Sequence, residues 1–504
     1  MIGRPPGGGA EQAIGSVAVV PAPSRPLADL VSGLTGASVR GDASFRVSRL
    51  CYRSDEATPG SLFFCVPGEH VDGHDFAAAA VERGAGALLV ERPLEAGAAQ
   101  VIVPSVREAM GPVSAEFYDR PADAMTVVGV TGTNGKTTTT YLLEAAFRAE
   151  GRTPGVVGTT GVRIDGRPIP FPRTTPEAPD LHRLFAEMAA EGVDAVAMEV
   201  SSHGLHQHRV DGVRYDLAVF TNLTQDHLDY HASMEEYFAA KARLFTPAMS
   251  RGAVVNHDSE QGRRLASTGL PTLTYGLDAG ADVRATHVET TALGIAFVVD
   301  GVRIDSTLRG LFNVENCLAA FATARSLGFD DRRTAEAISS VRGVPGRVEA
   351  VELGQSFLVL VDYAHTPDSV ENVLRTARQL TAGRVIVVLG CGGDRDRAKR
   401  PLMGRAATAN ADLSVITSDN PRNEDPLAIV EEIVPGAREG GGAYVVEVDR
   451  RAAIHISVSE AGPGDVVVIA GKGHEAYQEL ADRTIAFDDR EVAAEEIRAL
   501  GRSG

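Results

Sequence analysis

Lysine is nearly absent from this 504-residue chain: only Lys136, Lys241, Lys399 and Lys472 carry it, leaving 45 of the 49 basic residues as arginine. Arginine cannot stand in where a compact ammonium, or an amine able to lose its proton, is needed. Those four positions are therefore suspects before any motif is consulted. Cysteine is equally scarce. Cys51, Cys65, Cys317 and Cys391 stand far apart with no CxxC pair, which excludes a cysteine zinc site and a disulfide framework and fits a reducing, cytoplasmic setting. No apolar run approaches the ~20 residues that cross a bilayer, so membrane insertion is not expected. The weakly apolar residues 13–20 follow a Gly/Pro-rich start, unlike a secretion signal. Basic charge is in deficit, with 67 acidic residues and a formal net charge of -18. That argues against a nucleic-acid partner, whose binding surface clusters Lys and Arg. Any phosphate must be met locally.

At roughly 100–200 residues per domain the length predicts three domains. Residues 1–26, rich in Gly, Pro and Ala, read as a flexible tail. Residues 27–122 alternate short apolar runs (61–66, 87–90, 101–103) with a helical pattern at 76–83, a small α/β domain that Pro121 closes. Beyond it, Val/Ile/Leu-rich runs with little alternation at 126–130, 195–198, 217–220, 253–256, 357–361, 385–389, 413–417 and 465–470 predict parallel strands buried on both faces. The Gly343-Val344-Pro345-Gly346 segment, preceded by a hairpin pattern near 296–304, divides them into domains at 123–345 and 346–504. The fold class is α/β.

In open parallel sheets, ligands bind beyond the carboxyl ends of the strands. Polar, Gly-rich clusters follow those ends seven times: Thr131-Gly132-Thr133-Asn134-Gly135-Lys136-Thr137-Thr138, Glu199-Val200-Ser201-Ser202-His203, Thr221 to His227, Asp362-Tyr363-Ala364-His365-Thr366-Pro367, residues 390–396, Ser418-Asp419-Asn420-Pro421-Arg422 and Gly471-Lys472-Gly473-His474-Glu475. Seven loops in one register predict two facing active-site rims. The first of them, between a strand and a helical pattern over 139–150, is a phosphate cradle, with Lys136 reaching the outer phosphates and Thr137 placed to hold magnesium. It is a variant of GxxxxGK[ST], because Val130 stands where the first Gly belongs.

Glu199 and His227 both follow strand ends, and a carboxylate with an imidazole suits a second hard cation near a γ-phosphate. Each has a plainer explanation, a capping carboxylate or a hydrogen-bonding histidine. Lys241 lies in a helical stretch (234–245), where a lysine is ordinarily solvated; its rarity in this chain argues otherwise. Asp419-Asn420-Pro421 is common turn chemistry, but that leaves Arg422, Arg395 and Glu475 unexplained on neighbouring strand ends, and an arginine fork suits a carboxylate.

Taken in order, these loops resemble the Mur ligases, over nearly the whole chain from about residue 30. The resemblance implies an N-terminal domain for a uridine nucleotide, a central P-loop ATPase, and a C-terminal Rossmann-like domain for the incoming amino acid, with ATP and Mg2+ as cofactors. It places Gly132, Thr133, Asn134, Gly135, Lys136, Thr137 and Thr138 on the ATP phosphates and Asn316, Arg347, Asp362 and His365 on the adenine and ribose side. Thr137, Glu199, His227 and a carbamylated Lys241 fall to magnesium, and Lys136, Lys241 and His227 to catalysis. Ser54, Thr174, Thr175, Ser201, Gln207 and Arg209 match positions that hold a UDP-N-acetylmuramoyl dipeptide. Asp419, Asn420, Pro421 and Arg422 have the form of the loop linked to diaminopimelate, whose distal carboxylate and amine would meet Arg422, Arg395, Gly471 and Glu475. L-lysine, lacking that carboxylate, would leave Arg422 without a partner, at a cost of a few kcal/mol. One departure is clear: the family's Asp-Ser-Arg appears here as Arg53-Ser54-Asp55, the serine kept and the charges exchanged. A monomer is expected, and a nucleotide-binding protein with a degenerate ligase site is the alternative from another class.

Overall fold

The computed structural model describes residues 23–68, 71–169, 171, 173–228, 230–291 and 293–500. Residues 1–22 of the expected tail lie outside them. Arg25–Pro26, at that tail's end, pairs with Arg46–Val47.

The apolar runs become the inner strands of three sheets, where water would find no polar face to solvate. In the N-terminal sheet, Arg49–Cys51, Ser61–Phe64, Ala87–Val90 and Ala99–Ile102 run parallel, and Ser38–Arg40 closes one edge antiparallel. Leu62, Phe64, Leu89 and Val101 pack against the helix Val106–Phe117. The central sheet has nine strands. Seven are parallel, in the order Pro154–Gly158, Ala195–Glu199, Thr126–Thr131, Tyr215–Phe220, Ser250–Asn256, Thr272–Gly276 and Val283–Arg284, while Gly161–Ile164 and Arg167–Ile169 add an antiparallel edge. Helices Lys136–Ala149 and Leu311–Ser326 cover one face around Leu142, Phe147, Leu318 and Phe321; Phe185, Met198 and Phe220 fill the other. Fully burying each such side chain contributes ~1.5–3 kcal/mol. The expected hairpin is the pair Gly294–Val299 and Val302–Ser306, joined by Thr286–Thr291 into a small antiparallel sheet.

The C-terminal sheet runs Leu358–Asp362, Val466–Ala470, Val385–Cys391, Leu413–Ser418 and Ala443–Val446, all parallel, with Glu349–Ala350 antiparallel at the edge. An ion pair with no exposed surface on either partner, Arg450 to Asp489 at 2.6 Å, ties the last helix, Asp489–Leu500, onto this unit. No helix among the described residues is long and apolar enough to cross a membrane.

Candidate active site

All seven loops lie at or just beyond the C-terminal ends of parallel strands, from both larger sheets. At the end of Thr126–Thr131 the backbone turns sharply into the helix Lys136–Ala149. Gly135 caps that helix at φ +87°, and no side chain caps it in its place, so the first amides of the helix are left for an anion. A Cβ on Gly135 would sit 2.3 Å from Asn316 Oδ1. The loop is clamped from the neighbouring strand: Asn134 N donates to Asn222 Oδ1 at 2.9 Å, Thr133 N to Asn222 O at 2.9 Å, and Thr221 Oγ1 to Asn134 O at 2.6 Å. Lys136 Nζ donates to Gly132 O and Thr133 O. Burial pulls its ammonium below its ordinary value, against the pull of Glu199.

Lys241 is not solvated. It is 1% exposed on the helix Met234–Ala242, and its Nζ donates to Gly132 O at 2.8 Å. Burial, then the charge of Lys136, holds this amine well below its usual range. Tyr237, one turn earlier, fixes the same helix to the loop through Thr133 (Oη to Oγ1 3.1 Å).

Glu199 is 1% exposed and accepts from both Thr159 N and Thr159 Oγ1 at 2.9 Å. Thr159 Oγ1 also lies 3.2 Å from Thr174 Oγ1, which links the Glu199 carboxylate to the Thr174–Thr175 segment. His227 has φ +54°, faces the His203 ring edge-on at 4.7 Å, and sits 3.3 Å from Asp226. Burial pushes its imidazole down, Asp226 opposing, and the neutral ring is the form that ligates metals. A carboxylate (Glu199), a hydroxyl (Thr137) and a neutral imidazole (His227) are donors that suit a divalent ion in their chemistry.

A cavity of about 360 Å3 opens between the helices Leu311–Ser326 and Pro367–Leu380. Asn134, Gly135, Thr137, Thr138, Asn316, Arg347 and Asp362 line it; Gly132, Thr133, Lys136 and His365 do not. Arg347 Nη2 donates to Thr137 Oγ1 at 3.0 Å, and Asn134 Nδ2 to Asp368 Oδ2 at 3.2 Å, so the central and C-terminal units already touch across the phosphate loop. Asp362, its carboxyl raised by burial, accepts from Val348 N. His365 Nδ1 lies 2.7 Å from Tyr363 O, outside the cavity wall, its imidazole lowered by burial.

Toward the N-terminal unit, Thr175 Oγ1 donates to Glu199 O and accepts from Ser201 N, and Ser201 Oγ caps the helix Ser202–His206. Gln207 accepts from Arg209, whose Nε is 3.1 Å from Glu177. Tyr52 Oη to Asp180 (2.7 Å) and Arg107 to Glu177 (2.9 Å) bridge the seam. Ser54 is half-buried on a short turn between Arg53 and Asp55, and the two exchanged charges pair with each other at 2.7 Å on the surface.

In the C-terminal pocket Asp419 and Asn420 are buried, and Asn420 Nδ2 donates to Glu475 Oε2 at 2.8 Å. Burial, then Asp419, raises the Glu475 carboxyl. Gly471 (φ +115°) leaves no room for a side chain, since a Cβ would lie 2.4 Å from Asp419 Oδ2. Pro421 continues the turn, and Arg422 follows at φ +50°. Its Nε donates to Glu479 Oε2 and its Nη1 to Gly393 O, so part of its fork is held by the protein rather than waiting for a ligand. Arg395 is exposed, with no ion pair among the described residues. Sequence reasoning missed Thr159, Asn222, Asp226, Asp368, Asn372 and Gln379. Only Asn222 and Asp226 stand in a loop that it had flagged.

Three family models match in order along the chain: the Mur ligase family catalytic domain at residues 46–118, the Mur ligase middle domain at 130–324 and the Mur ligase glutamate ligase domain at 346–473. The chain belongs to the Mur ligase family. Among its relatives, a UDP-N-acetylmuramoyl-L-alanyl-D-glutamate–2,6-diaminopimelate ligase of Geobacillus thermodenitrificans is 50% identical over 484 residues, 94% of this chain and 99% of the relative. That of Streptomyces coelicolor is 45% identical over 491 residues, 94% and 96% of the two chains. A solved structure with the same ligase name superposes with a TM-score of 0.67 at 32% identity, covering 95% of this chain and 99% of that one. MurF from Acinetobacter baumannii shares the fold at 18% identity, with a TM-score of 0.64 over 96% and 100% of the chains.

Proposed function

We propose that this chain is the cytoplasmic, ATP-dependent ligase that joins meso-2,6-diaminopimelate to UDP-N-acetylmuramoyl-L-alanyl-D-glutamate in peptidoglycan precursor synthesis. The observation that carries this reading is the convergence of three rims: an uncapped phosphate loop, a buried carboxylate and a buried lysine beside it, and a charged pocket on the facing domain. Family membership and relatives named for that reaction support it.

In this reading the D-glutamyl side-chain carboxylate attacks the γ-phosphorus of ATP and ADP leaves. The amine of diaminopimelate then attacks the acyl carbon of the mixed anhydride and releases phosphate. Residues 27–122 hold the uridine nucleotide through Ser54, with Thr174, Thr175, Ser201, Gln207 and Arg209 completing the dipeptide site. The loop from Gly132 to Thr138 cradles the phosphates with its amides and Lys136, while Asn316, Arg347, Asp362 and His365 serve the nucleoside side. Thr137, Glu199, His227 and carbamylated Lys241 are the residues that would hold magnesium, which when bound neutralises charge on the transferring phosphoryl group. Carbamylation needs an amine without its proton: the nitrogen adds to carbon dioxide, loses a proton, and an unpaired buried lysine becomes an anion. The low proton affinity of Lys241 supports this. Arg395, Asp419, Asn420, Pro421, Arg422, Gly471 and Glu475 position the diamino acid. The chain acts as a monomer.

The mechanism is tested with 18O in the D-glutamyl side-chain carboxylate. Transfer of one label into inorganic phosphate, only when ATP and diaminopimelate are both present, is expected; unlabelled phosphate would refute it.

A further inference from the structure

Lys136 and Lys241 both meet the phosphate loop, and Lys399 donates to His365 O. The fourth, Lys472, touches no part of the phosphate site and has no exposed surface at all. Its backbone is pinned on both sides. Gly471 is pressed against Asp419, and a Cβ on Gly473 (φ +52°) would lie 2.7 Å from Tyr363 Cβ. The side chain is thus driven inward, where its Nζ meets Asn420 Oδ1 at 3.0 Å, Glu475 Oε2 at 3.5 Å and Asp419 Oδ1 at 4.0 Å, with the Tyr477 ring 5.5 Å away. Two acceptors and a third carboxylate at ion-pair distance around one point suit the compact charge of an ammonium and not the flat fork of a guanidinium.

The contacts also fix an amide. Asn420 Oδ1 accepts from Lys472 Nζ and from Glu479 N at 3.0 Å, which turns its Nδ2 toward Glu475. The groups facing the Glu475 carboxylate are Asp419, Lys472, Asn420, Tyr363 (Oη 3.4 Å), Tyr477 and Arg450. Arg450 is committed to Asp489 through two bonds. Lys472 is therefore the one cation among them free to offset the like charges of Asp419 and Glu475.

We propose that Lys472 is a positioning residue of the diamino-acid pocket: by holding Asn420 and balancing Asp419, it keeps the Glu475 carboxylate ionised to receive the distal ammonium of the substrate. This rests on the reading that Glu475 meets that ammonium. Without the lysine, Glu475 would share a buried site with Asp419 uncompensated, and such carboxyls take up a proton. A neutral Glu475 cannot pair with an ammonium, so binding would weaken, and would weaken less as the pH rises.

The test is the KM for meso-diaminopimelate in native, Lys472→Met and Lys472→Gln enzymes from about pH 6.5 to 8.5, with the KM for ATP and for the nucleotide dipeptide as references. The ratio of variant to native KM for the diamino acid is expected to be about tenfold or more at the low end, one unit of proton affinity being tenfold, and to shrink as the pH rises, with the reference values unchanged. If Lys472→Met does not fold, Lys472→Gln retains a hydrogen-bond donor on a polar side chain and removes the charge. A ratio that is flat with pH, or a rise in all three KM values, overturns the proposal in favour of a purely structural lysine. The 2-aminopimelate analogue, lacking the distal amine, separates the two layers: if native enzyme uses it as well as diaminopimelate, the reading of Glu475 itself fails, whatever the lysine variants do.

Discussion

Replacing Gly135 by alanine perturbs the phosphate loop at the point where the backbone has no alternative. At φ +87° a non-glycine residue costs ~1–2 kcal/mol. The new methyl would also lie 2.3 Å from Asn316 Oδ1. Asn316 must then move, losing its 2.9 Å bond to Asn313 and a place in the cavity wall, at ~0.5–1.5 kcal/mol for the bond. Unbound, the loop can relax and shed most of this strain; binding the phosphates requires the native turn, so the cost reappears in affinity. A total of about 2–3 kcal/mol corresponds to a roughly 30- to 150-fold weaker ATP dissociation constant. Titration calorimetry with a non-hydrolysable ATP analogue reads it directly, with a far-ultraviolet melt to verify folding. An affinity within threefold of native would refute the claim that this loop holds the phosphates.

Glu199→Gln sets a neutral amide against Thr159 N and Oγ1 and removes a buried charge; phosphate release should fall at least about 100-fold, on the order of the loss from one transition-state charge contact, and a rate within fivefold of native at saturating magnesium would contradict the assignment. Arg450→Met leaves Asp489 buried and unpaired, so the C-terminal unit should lose ~3–5 kcal/mol, and Arg450→Met/Asp489→Leu should regain much of it; denaturant titration distinguishes the two, and equal losses would refute the pairing argument. His182 is buried against Asp211 O, and burial pushes its imidazole down to about 4. Because the folded value lies below the unfolded one, its contribution is fully present above about pH 6.5 and declines as the pH falls toward 4, by about 3 kcal/mol at most. His182→Gln should flatten the slope of unfolding free energy between pH 5 and 7, and an unchanged slope would contradict it.

The strands most legible in the sequence were those with both faces buried. The runs at 126–130, 195–198 and 385–389 differ from the observed strands by one or two residues at their ends. Pro154–Gly158 was missed because it reads Pro-Gly-Val-Val-Gly, turn composition by every local rule, and is held by pairing with Ala195–Glu199 on one side and Gly161–Ile164 on the other. Ala443–Val446 was missed as a largely exposed edge strand without a buried pattern. The helix after the phosphate loop starts at Lys136 and not at 139, because Gly135 supplies its left-handed cap.

At the site, local motifs named the loops but not the partners that join them. Asn222 clamps Asn134 only because Tyr215–Phe220 lies beside Thr126–Thr131 in the sheet, and no spacing encodes strand order. Glu479, which holds Arg422, comes from a hairpin 57 residues further along. The scarcity of lysine did carry information: two of the four side chains, Lys241 and Lys472, are almost wholly buried.

The most direct measurement is phosphate release, with mass spectrometry of the product, from UDP-N-acetylmuramoyl-L-Ala-D-Glu, ATP and magnesium, offered meso-diaminopimelate or L-lysine in parallel. The account predicts a tripeptide product with diaminopimelate alone. Turnover with lysine would contradict the reading of the Arg422 pocket, and silence with both would contradict the assignment of the reaction.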